Sequence, residues 1–504
     1  MNGGAASATA QDVRSNARPT LLVVTAASLL AAGVALTAIR RPEAIPLDFT
    51  ALHIAALIAG VAFLFVVTKH SAIALPLLLA LVYLNLSEVL VRFHGFPSVL
   101  QLVALPLFVA AWLGGGSVGT GEVFRRGLTQ WLLLLVAVVT LASTWARDTE
   151  LANERVAETI KSFVIFLLVV LLTSSLRRLE YGIVALVSSA GFLSVLPILQ
   201  ALGAGFDNDF GGLARIKRAQ IYGDVFQARI AGPLGDPNFF AQILLIALPL
   251  AVFLARATQS ARRKLFGVTC AALILVAILL SYSRGAMLST LVMALFALPA
   301  LRIDWRKLAA LALIGIAALV LLPRSVTERF ITIEQVIPGF REAEQPIELD
   351  TSFEERRLLV GTAWVMFGDR PLTGVGPGNY TVHFDDYAAR VGAVFRVYGD
   401  PNAAQYPHNL YLEYGAETGA IGLAVFLAAV VTFFRSTRRG RRILAGSAMP
   451  HHAGLAYAIE VAMLGYLVSS LFLHGHFQRY LWLLFALGAA VDLLTRRMQR
   501  ETST

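Results

Sequence analysis

The chain has 504 residues, of which 57% are hydrophobic and only 15% are charged, and its mean hydropathy is +0.69. A soluble domain holds roughly 25% charged residues, so this composition excludes an ordinary soluble protein. The net charge of +10 indicates membrane topology rather than nucleic-acid binding, because no basic soluble domain accompanies it. The single cysteine, Cys270, excludes an internal disulfide.

Apolar runs near the bilayer-spanning length of about 20 residues recur along the whole chain. Fourteen such segments are present, at 20–39, 50–68, 71–90, 97–114, 129–146, 157–174, 181–203, 237–257, 264–283, 285–301, 307–323, 411–433, 455–473 and 478–495. Short pairs within 71–114 and 264–301 leave the count between twelve and fourteen. The sequence predicts an all-α polytopic membrane protein, and it predicts that the first segment is a retained helix rather than a cleaved signal.

Basic residues predict the orientation of these helices. Clusters at 256–264, 302–307, 435–442 and 496–500 are expected in the cytoplasm, which makes both termini cytoplasmic. Arg40 and Arg41 are the exception, since this map places them outside. Three regions result: residues 1–323 with an outer loop at about 204–236, a large outer loop at 324–407, and C-terminal helices with a cytoplasmic tail at 408–504. The large loop shows helical periodicity up to Phe367, followed by a Gly/Pro-rich turn.

Two groups of basic residues are predicted on the outer face. Arg284, in LLSYSRGAML, occupies the turn of a tight helical hairpin between two cytoplasmic clusters. It either reaches to lipid headgroups or binds a phosphate group, whose oxygens match a guanidinium fork. Arg229 precedes GPLGDPNFF, where Asp236 and Pro237 are ordinary helix-start signals. Arg215 lies in LARIKRAQ, which a solvated loop explains equally well.

His408 lies where the large outer loop re-enters the membrane, in QYPHNLYLEYGAETGAIG. A histidine there is either a general base, since its unperturbed pKa is about 6.5, or an interfacial residue bonded to backbone or headgroups. Glycines at 415, 419 and 422 favour close packing between helices. No metal site is predicted, because the pairs at 451–452 and 474–476 are isolated histidines without ligand spacing.

Taken together, these motifs resemble the O-antigen ligase and O-antigen polymerase superfamily of membrane glycosyltransferases. The resemblance rests on His408–Asn409 followed by Gly419 and Gly422, on the Ser283–Arg284–Gly285 hairpin, and on the segments GPLGDPNFFA and MFGDRPLTGVGPGNY. It covers roughly residues 205–435. It implies a metal-independent, cofactor-free transfer of a glycan from undecaprenyl diphosphate to an acceptor on the periplasmic side of the bacterial inner membrane.

Roles for individual residues follow from the resemblance. Arg284 is expected to hold the diphosphate, with Arg229 and Arg215 in support, because arginines must neutralise the leaving group where no metal does. His408 is expected to take the proton from the attacking hydroxyl, with inversion at the anomeric carbon, and Asn409 to orient it. Arg356 either contacts substrate or pairs with its acidic neighbours on a solvated helix.

Several functions remain compatible with these residues. The leading one is a ligase, whose acceptor is the core sugar of lipid A. A repeat-unit polymerase and a protein O-oligosaccharyltransferase would share the donor and the His/Arg chemistry. A carrier for anions or lipid-linked sugars is the alternative from another class, in which the arginines bind without catalysis. The lipid bilayer is an expected partner in every case, and nucleic acid in none.

Overall fold

The computed structural model describes residues 71–96, 98–100, 103, 107, 120–204, 208–222, 225–301, 351–391, 405–475 and 478–503. The predicted segments at 20–39, 50–68 and 307–323, and most of 97–114, lie outside the described residues. Fourteen α-helices cover most of the described part: α1 Ser71–Tyr83, α2 Leu86–His94, α3 Thr120–Phe124, α4 Gly127–Ala142, α5 Thr149–Leu172, α6 Leu176–Leu199, α7 Pro237–Arg256, α8 Ala261–Leu280, α9 Arg284–Leu301, α10 Thr351–Asp369, α11 Tyr380–Ala388, α12 Leu410–Gly446, α13 Pro450–Ser469 and α14 Arg479–Ser503.

The helical, polytopic prediction is confirmed. Six helices among the described residues are long and apolar enough to cross a membrane, and the pair α1–α2, bent by 51°, makes a seventh if it counts as one span. The predicted segment at 157–174 lies in α5, a helix of 24 residues whose first half is charged. The structure therefore adds a polar helical extension that the hydropathy pattern does not show.

Packing places α7 at the centre of the bundle. Among the described residues, 78% of the most apolar stretch of α7 is buried, against 28% for α8 and 33% for α4, so the last two expose apolar faces. One continuous apolar core joins these helices, and its bulkiest members include Trp482, Phe240 and Phe433. Burial of apolar side chains on several faces is what a central helix in such a bundle requires.

One two-stranded ribbon departs from the all-α expectation. Strands β1, Arg215–Tyr222, and β2, Val225–Gly232, pair antiparallel with Lys217 opposite Arg229. A turn then leads into α7, where Asp236 caps the helix by accepting hydrogen bonds from the Asn238 and Phe239 N–H groups. The helix start predicted at Asp236 and Pro237 is confirmed, whereas the ribbon in the predicted loop was not anticipated.

The predicted span at 411–433 lies within α12, which is long and apolar enough to cross a membrane, but the helix breaks at Gly419. Its backbone adopts φ 67° and ψ −171°, a region that is essentially restricted to glycine. A Cβ atom there would lie 2.2 Å from the Leu372 carbonyl carbon. Gly419 thus serves a helix break and the close approach of the outer loop, not the helix packing that its spacing suggested.

The Gly/Pro-rich turn after α10 satisfies the backbone groups that this break exposes. Val375 and Gly376 donate their N–H groups to the carbonyls of Ala416 and Glu417, at 2.8 and 2.9 Å, and Ala420 donates to the Pro371 carbonyl at 2.7 Å. The predicted helix through Phe367 is confirmed as α10. Together with α11 it forms a small separate apolar cluster that packs onto Ala416, so the described part of the predicted outer loop, 351–391, is attached to the bundle.

We expect Gly419→Ala to lower the stability of the protein by about 2–4 kcal/mol, because the new side chain meets both a forbidden backbone geometry and the Leu372 backbone. Thermal unfolding of the detergent-solubilised protein, followed by intrinsic fluorescence, measures the shift. Gly446→Ala is the control, since no atom lies within 4 Å of its added Cβ and alanine favours the helix. Equal unfolding temperatures for the two variants would contradict the role assigned to the break.

Candidate active site

A small cavity lies at one end of the bundle, where four segments of the chain meet. Three of them were singled out in the sequence: the start of α7, the hairpin between α8 and α9, and the outer helix α10. The segment after α13 closes the cavity. Its lining residues are Asn238, Ser283, Gly285, Ala286, Arg356, Ser469, Phe472 and Leu473.

Arg229 holds the hairpin in place. Its Nε donates to the Ser281 carbonyl at 3.0 Å, and its Nη2 donates to the Tyr282 carbonyl at 3.4 Å and to Asn238 Oδ1 at 3.0 Å. Tyr282 adopts a left-handed conformation with φ 52°, so the turn needs such external support. That Arg229 binds substrate stays a prediction. The structure adds that this guanidinium ties β2, the hairpin and α7 together.

The other predicted arginines occupy different places. Arg284 is the first residue of α9, half-buried between the cavity-lining Ser283 and Gly285. Arg356 lines the cavity itself, which brings the outer loop over the hairpin. Arg215 does not line it. Its guanidinium lies 5.6 Å from the centre of the Phe93 ring and against Gly235, and burial, aided by Arg92, lowers its pKa.

His408 lies immediately before α12 in a left-handed backbone conformation, with φ 46°. Its Nδ1 atom is buried and has no hydrogen-bond partner in the described part of the chain. The imidazole meets His474 edge-on, with ring centres 5.3 Å apart. His474 in turn stacks on Tyr406 at 4.3 Å and meets Phe239 edge-on at 5.0 Å. An aromatic wall therefore fixes one side of the His408 ring.

The surroundings keep His408 neutral at physiological pH. Burial lowers the pKa of His408 to about 4; the charges of Arg356 and Lys217 act in the same direction, and Asp236 opposes them. The charged form is disfavoured because it loses water and faces other cations. A neutral imidazole is the form that can accept a proton. Because the charge of Arg356 acts on this pKa, the cavity arginine interacts electrostatically with His408.

Asn409 has a defined structural task. Its Oδ1 accepts hydrogen bonds from the Tyr411 and Leu412 N–H groups at 3.0 Å, which caps α12, and its Nδ2 donates to the Leu471 carbonyl at 3.1 Å. The Leu410 N–H donates to the Ser470 carbonyl at 2.9 Å. These bonds anchor the chain beside His408 to the segment after α13. Orientation of the His408 ring or contact with substrate by Asn409 stays a prediction.

A buried ion pair supports the segment that carries His474. Arg155, from the polar half of α5, pairs with Glu413 at 3.3 Å, and the two side chains are 12% and 6% exposed. Arg155 also donates to the Gly475 carbonyl at 3.3 Å, while Glu413 accepts from the Gly475 N–H. One turn along α12, Glu417 accepts from the Tyr380 N–H at 3.4 Å. The Glu413 and Glu417 carboxylates therefore connect α12 to the segment after α13 and to the start of α11, respectively.

Two residues of this region escaped the sequence analysis. His474 was set aside as isolated, yet it contacts His408 across 66 residues of chain. Arg155 was not singled out, although a charge two residues before an apolar segment is a signal for a functional or paired residue. Away from this site, Glu180, His451 and His452 form a group that could hold a metal ion, with His451 Nε2 at 3.2 Å from Glu180 Oε2.

Comparison with known proteins supports the resemblance for part of the chain. Residues 269–427 match the family model described as O-antigen ligase. This match includes the α8–α9 hairpin, Arg356, the Gly/Pro-rich turn and His408, and it ends before the resemblance drawn from the sequence does. Arg215, Arg229 and GPLGDPNFFA lie ahead of it. No curated protein matches this chain.

We expect Arg155→Met to destabilise the protein by about 3–5 kcal/mol, because it leaves the buried Glu413 carboxylate without its partner. Arg147→Met is the matched control. Its ion pair with Asp386 is 60% and 64% exposed, and an exposed pair contributes at most about 1 kcal/mol. Thermal unfolding of both variants compares them directly. Similar shifts in the unfolding temperature of the two variants would show that the buried Arg155–Glu413 pair contributes no more stability than the exposed pair.

The lowered pKa of His408 predicts that the folded protein loses stability in acid. The pKa of His408 in the folded protein, about 4, lies below the value of about 6.5 in the unfolded chain. Between these two pH values the unfolded chain therefore binds more protons than the folded protein does. The stability that the neutral ring contributes is thus present above pH 6.5 and is lost as the pH falls toward 4. We expect a loss of about 1–2 kcal/mol between pH 7.5 and 5 that His408→Gln removes. Unfolding temperatures across this pH range measure it, and identical profiles for both proteins would refute it.

Proposed function

We propose that this chain moves a glycan from undecaprenyl diphosphate to a lipid A-core acceptor at the periplasmic face of the bacterial inner membrane. The match of residues 269–427 to the O-antigen ligase family model supports this proposal. One observation carries this proposal. Arg356 lines a cavity together with Ser283 and Gly285, the two neighbours of Arg284 in the hairpin, and its charge acts on His408.

The cations of the site suit the diphosphate of the donor. Undecaprenyl is a lipid, so the donor would enter sideways from the bilayer, with its diphosphate at the interface. Arg284 and Arg356 would then stabilise the charge that grows on the diphosphate as the sugar departs. Fixed cations in a place of low dielectric are effective for this purpose because they need no reorganisation during the reaction. The positive charge that faces the diphosphate would come from these arginine side chains.

His408 would act as the general base. The acceptor hydroxyl oxygen forms a bond to the anomeric carbon while the bond from that carbon to the diphosphate oxygen breaks. The hydroxyl proton goes to the imidazole, and the electron pair leaves with undecaprenyl diphosphate, which inverts the anomeric centre. Binding of the anionic donor would also raise the pKa of His408, because a nearby negative charge offsets the charge of Arg356 and stabilises the imidazolium.

The test uses purified protein in detergent, undecaprenyl-diphosphate glycan as donor and lipid A-core as acceptor, with a chelator present, and resolves the products by mass. We expect glycan joined to lipid A-core. Lengthened undecaprenyl-linked chains with an untouched core would make the protein a polymerase instead. Failure to form any bond with a competent donor would remove the enzymatic role and favour the carrier.

In this assay, we expect His408→Ala to reduce transfer by about 10²–10⁴-fold and Arg284→Ala by about 10²–10³-fold, since these are the usual contributions of a general base and of an electrostatic contact. Arg356→Ala should also lower the rate, whereas its exposed neighbour Arg357 provides the matched control, Arg357→Ala. Equal membrane levels are verified for each variant. Normal transfer by the His408 or the Arg284 variant would disprove the role given to that residue.

A further inference from the structure

A second cavity lies at the opposite end of the helices, between α4, α12 and α14. Its volume is about 350 Å³, within the range of ligand sites. Arg435, one of its residues, is sixteen positions after Gly419, or about 24 Å along α12, so this cavity is remote from His408. The lining residues are Arg125, Arg126, Gly127, Leu128, Thr432, Arg435, Ser436, Arg439, Ala489, Asp492 and Arg496.

Positive charge dominates this cavity, with five arginines and a single carboxylate in its lining. Two of the arginines are paired: Arg496 with Asp492 at 2.9 Å, and Arg126 with Glu122 at 2.5 Å. The other three are exposed and form no ion pair with any carboxylate of the described residues; they are Arg125, in the turn before α4, and Arg435 and Arg439 on α12. Three unneutralised guanidinium groups around one space call for an anion with several oxygens.

The helix ends add to this preference. Gly127 and Leu128 open α4 and line the cavity, and the residue before them, Arg126, makes no side-chain cap. The first N–H groups of a helix carry partial positive charge, which favours an anion. The hydroxyl-bearing Thr432 and Ser436 face the same space from α12. The Ser436 hydroxyl donates within α12, to the Thr432 and Phe433 carbonyls. The cavity thus combines guanidinium and backbone donors with the Thr432 hydroxyl, which are donors that a phosphate group uses.

The surroundings indicate that this phosphate belongs to a lipid. Helix α4 exposes the apolar side chains of Trp131, Leu133 and Leu134, which are 37%, 45% and 43% exposed, and such a surface faces the bilayer. A tryptophan one turn into the helix is typical of the membrane interface. The arginine distribution also predicts that this end is cytoplasmic, where anionic phospholipids give the membrane a negative surface.

We propose that this cavity binds the phosphodiester headgroup of an anionic phospholipid from the inner leaflet. The headgroup would neutralise Arg125 from the α4 side and Arg435 and Arg439 from α12, and its acyl chains would lie along the exposed face of α4. The lipid would thereby join a peripheral helix to the helix that carries His408 at its other end. A soluble phosphate compound is the competing source of the same chemistry.

The test is native mass spectrometry of the purified full-length protein after exchange into detergent containing phosphatidylglycerol, cardiolipin or phosphatidylcholine. We expect the two anionic lipids to be retained in preference to phosphatidylcholine. Arg435→Gln/Arg439→Gln should weaken their binding about 30-fold, since each arginine near a membrane surface contributes about 1 kcal/mol. Arg125→Gln should weaken it from the other side of the cavity. The unpaired state of these arginines means that no carboxylate is orphaned by the changes.

Arg262→Gln/Arg263→Gln is the matched control, because it removes the same charge from exposed positions at the start of α8. Lipid retention by this control, with loss in the cavity variants, supports the site. Equal loss of lipid from both double variants would mean that the lipid is held by general charge attraction and not at this cavity, which would overturn the proposal. Indifference to headgroup charge, or displacement of the lipid by glycerol phosphate at comparable concentration, would overturn the proposal of a phospholipid. Unfolding temperatures in lipid-free detergent verify that every variant is folded.

Discussion

Backbone hydrogen bonding at the break in α12 is the constraint on which the active-site region depends. A helix that ends inside a bundle leaves N–H and C=O groups that must find other partners. Here the turn after α10 supplies them, through Val375, Gly376 and Pro371. The same contact fixes the outer loop against the short helical stretch that follows His408. Because the loop is held there, α10 can present Arg356 at the cavity.

The short stretch before the break is held from three directions. Asn409 caps it and bonds to the segment after α13, and Glu413 joins it to Arg155 and Gly475. On the remaining side Glu417 accepts from the backbone of α11. A catalytic group works best when its own support is rigid. His408 lies between this anchored stretch and the ring of His474, so its support is rigid.

Arginine serves different purposes in this chain, and the difference is visible in its partners. Arg155 and Arg229 are bonded to carboxylate, carbonyl or amide oxygens of the protein and hold segments together. Arg356 instead lines a cavity, as do Arg435 and Arg439 at the far end of the bundle. The positive-inside pattern accounts for the number of basic residues at that end. It does not account for their convergence on one open cavity, which depends on how α4, α12 and α14 pack.

The sequence by itself located the apolar helices among the described residues, because spans depend on the length of an apolar run and caps depend on local residues such as Asp236. It also identified His408, Arg284 and Arg356 as residues of interest through local motifs. It missed the ribbon that carries Arg229, whose strands lack a clear apolar alternation, and it misjudged Gly419, since spacing does not reveal a backbone angle. Only the tertiary structure decided which groups meet. Arg155 and Glu413 are 258 residues apart, and contacts at such separations are set by the packing of whole helices, which no local pattern encodes.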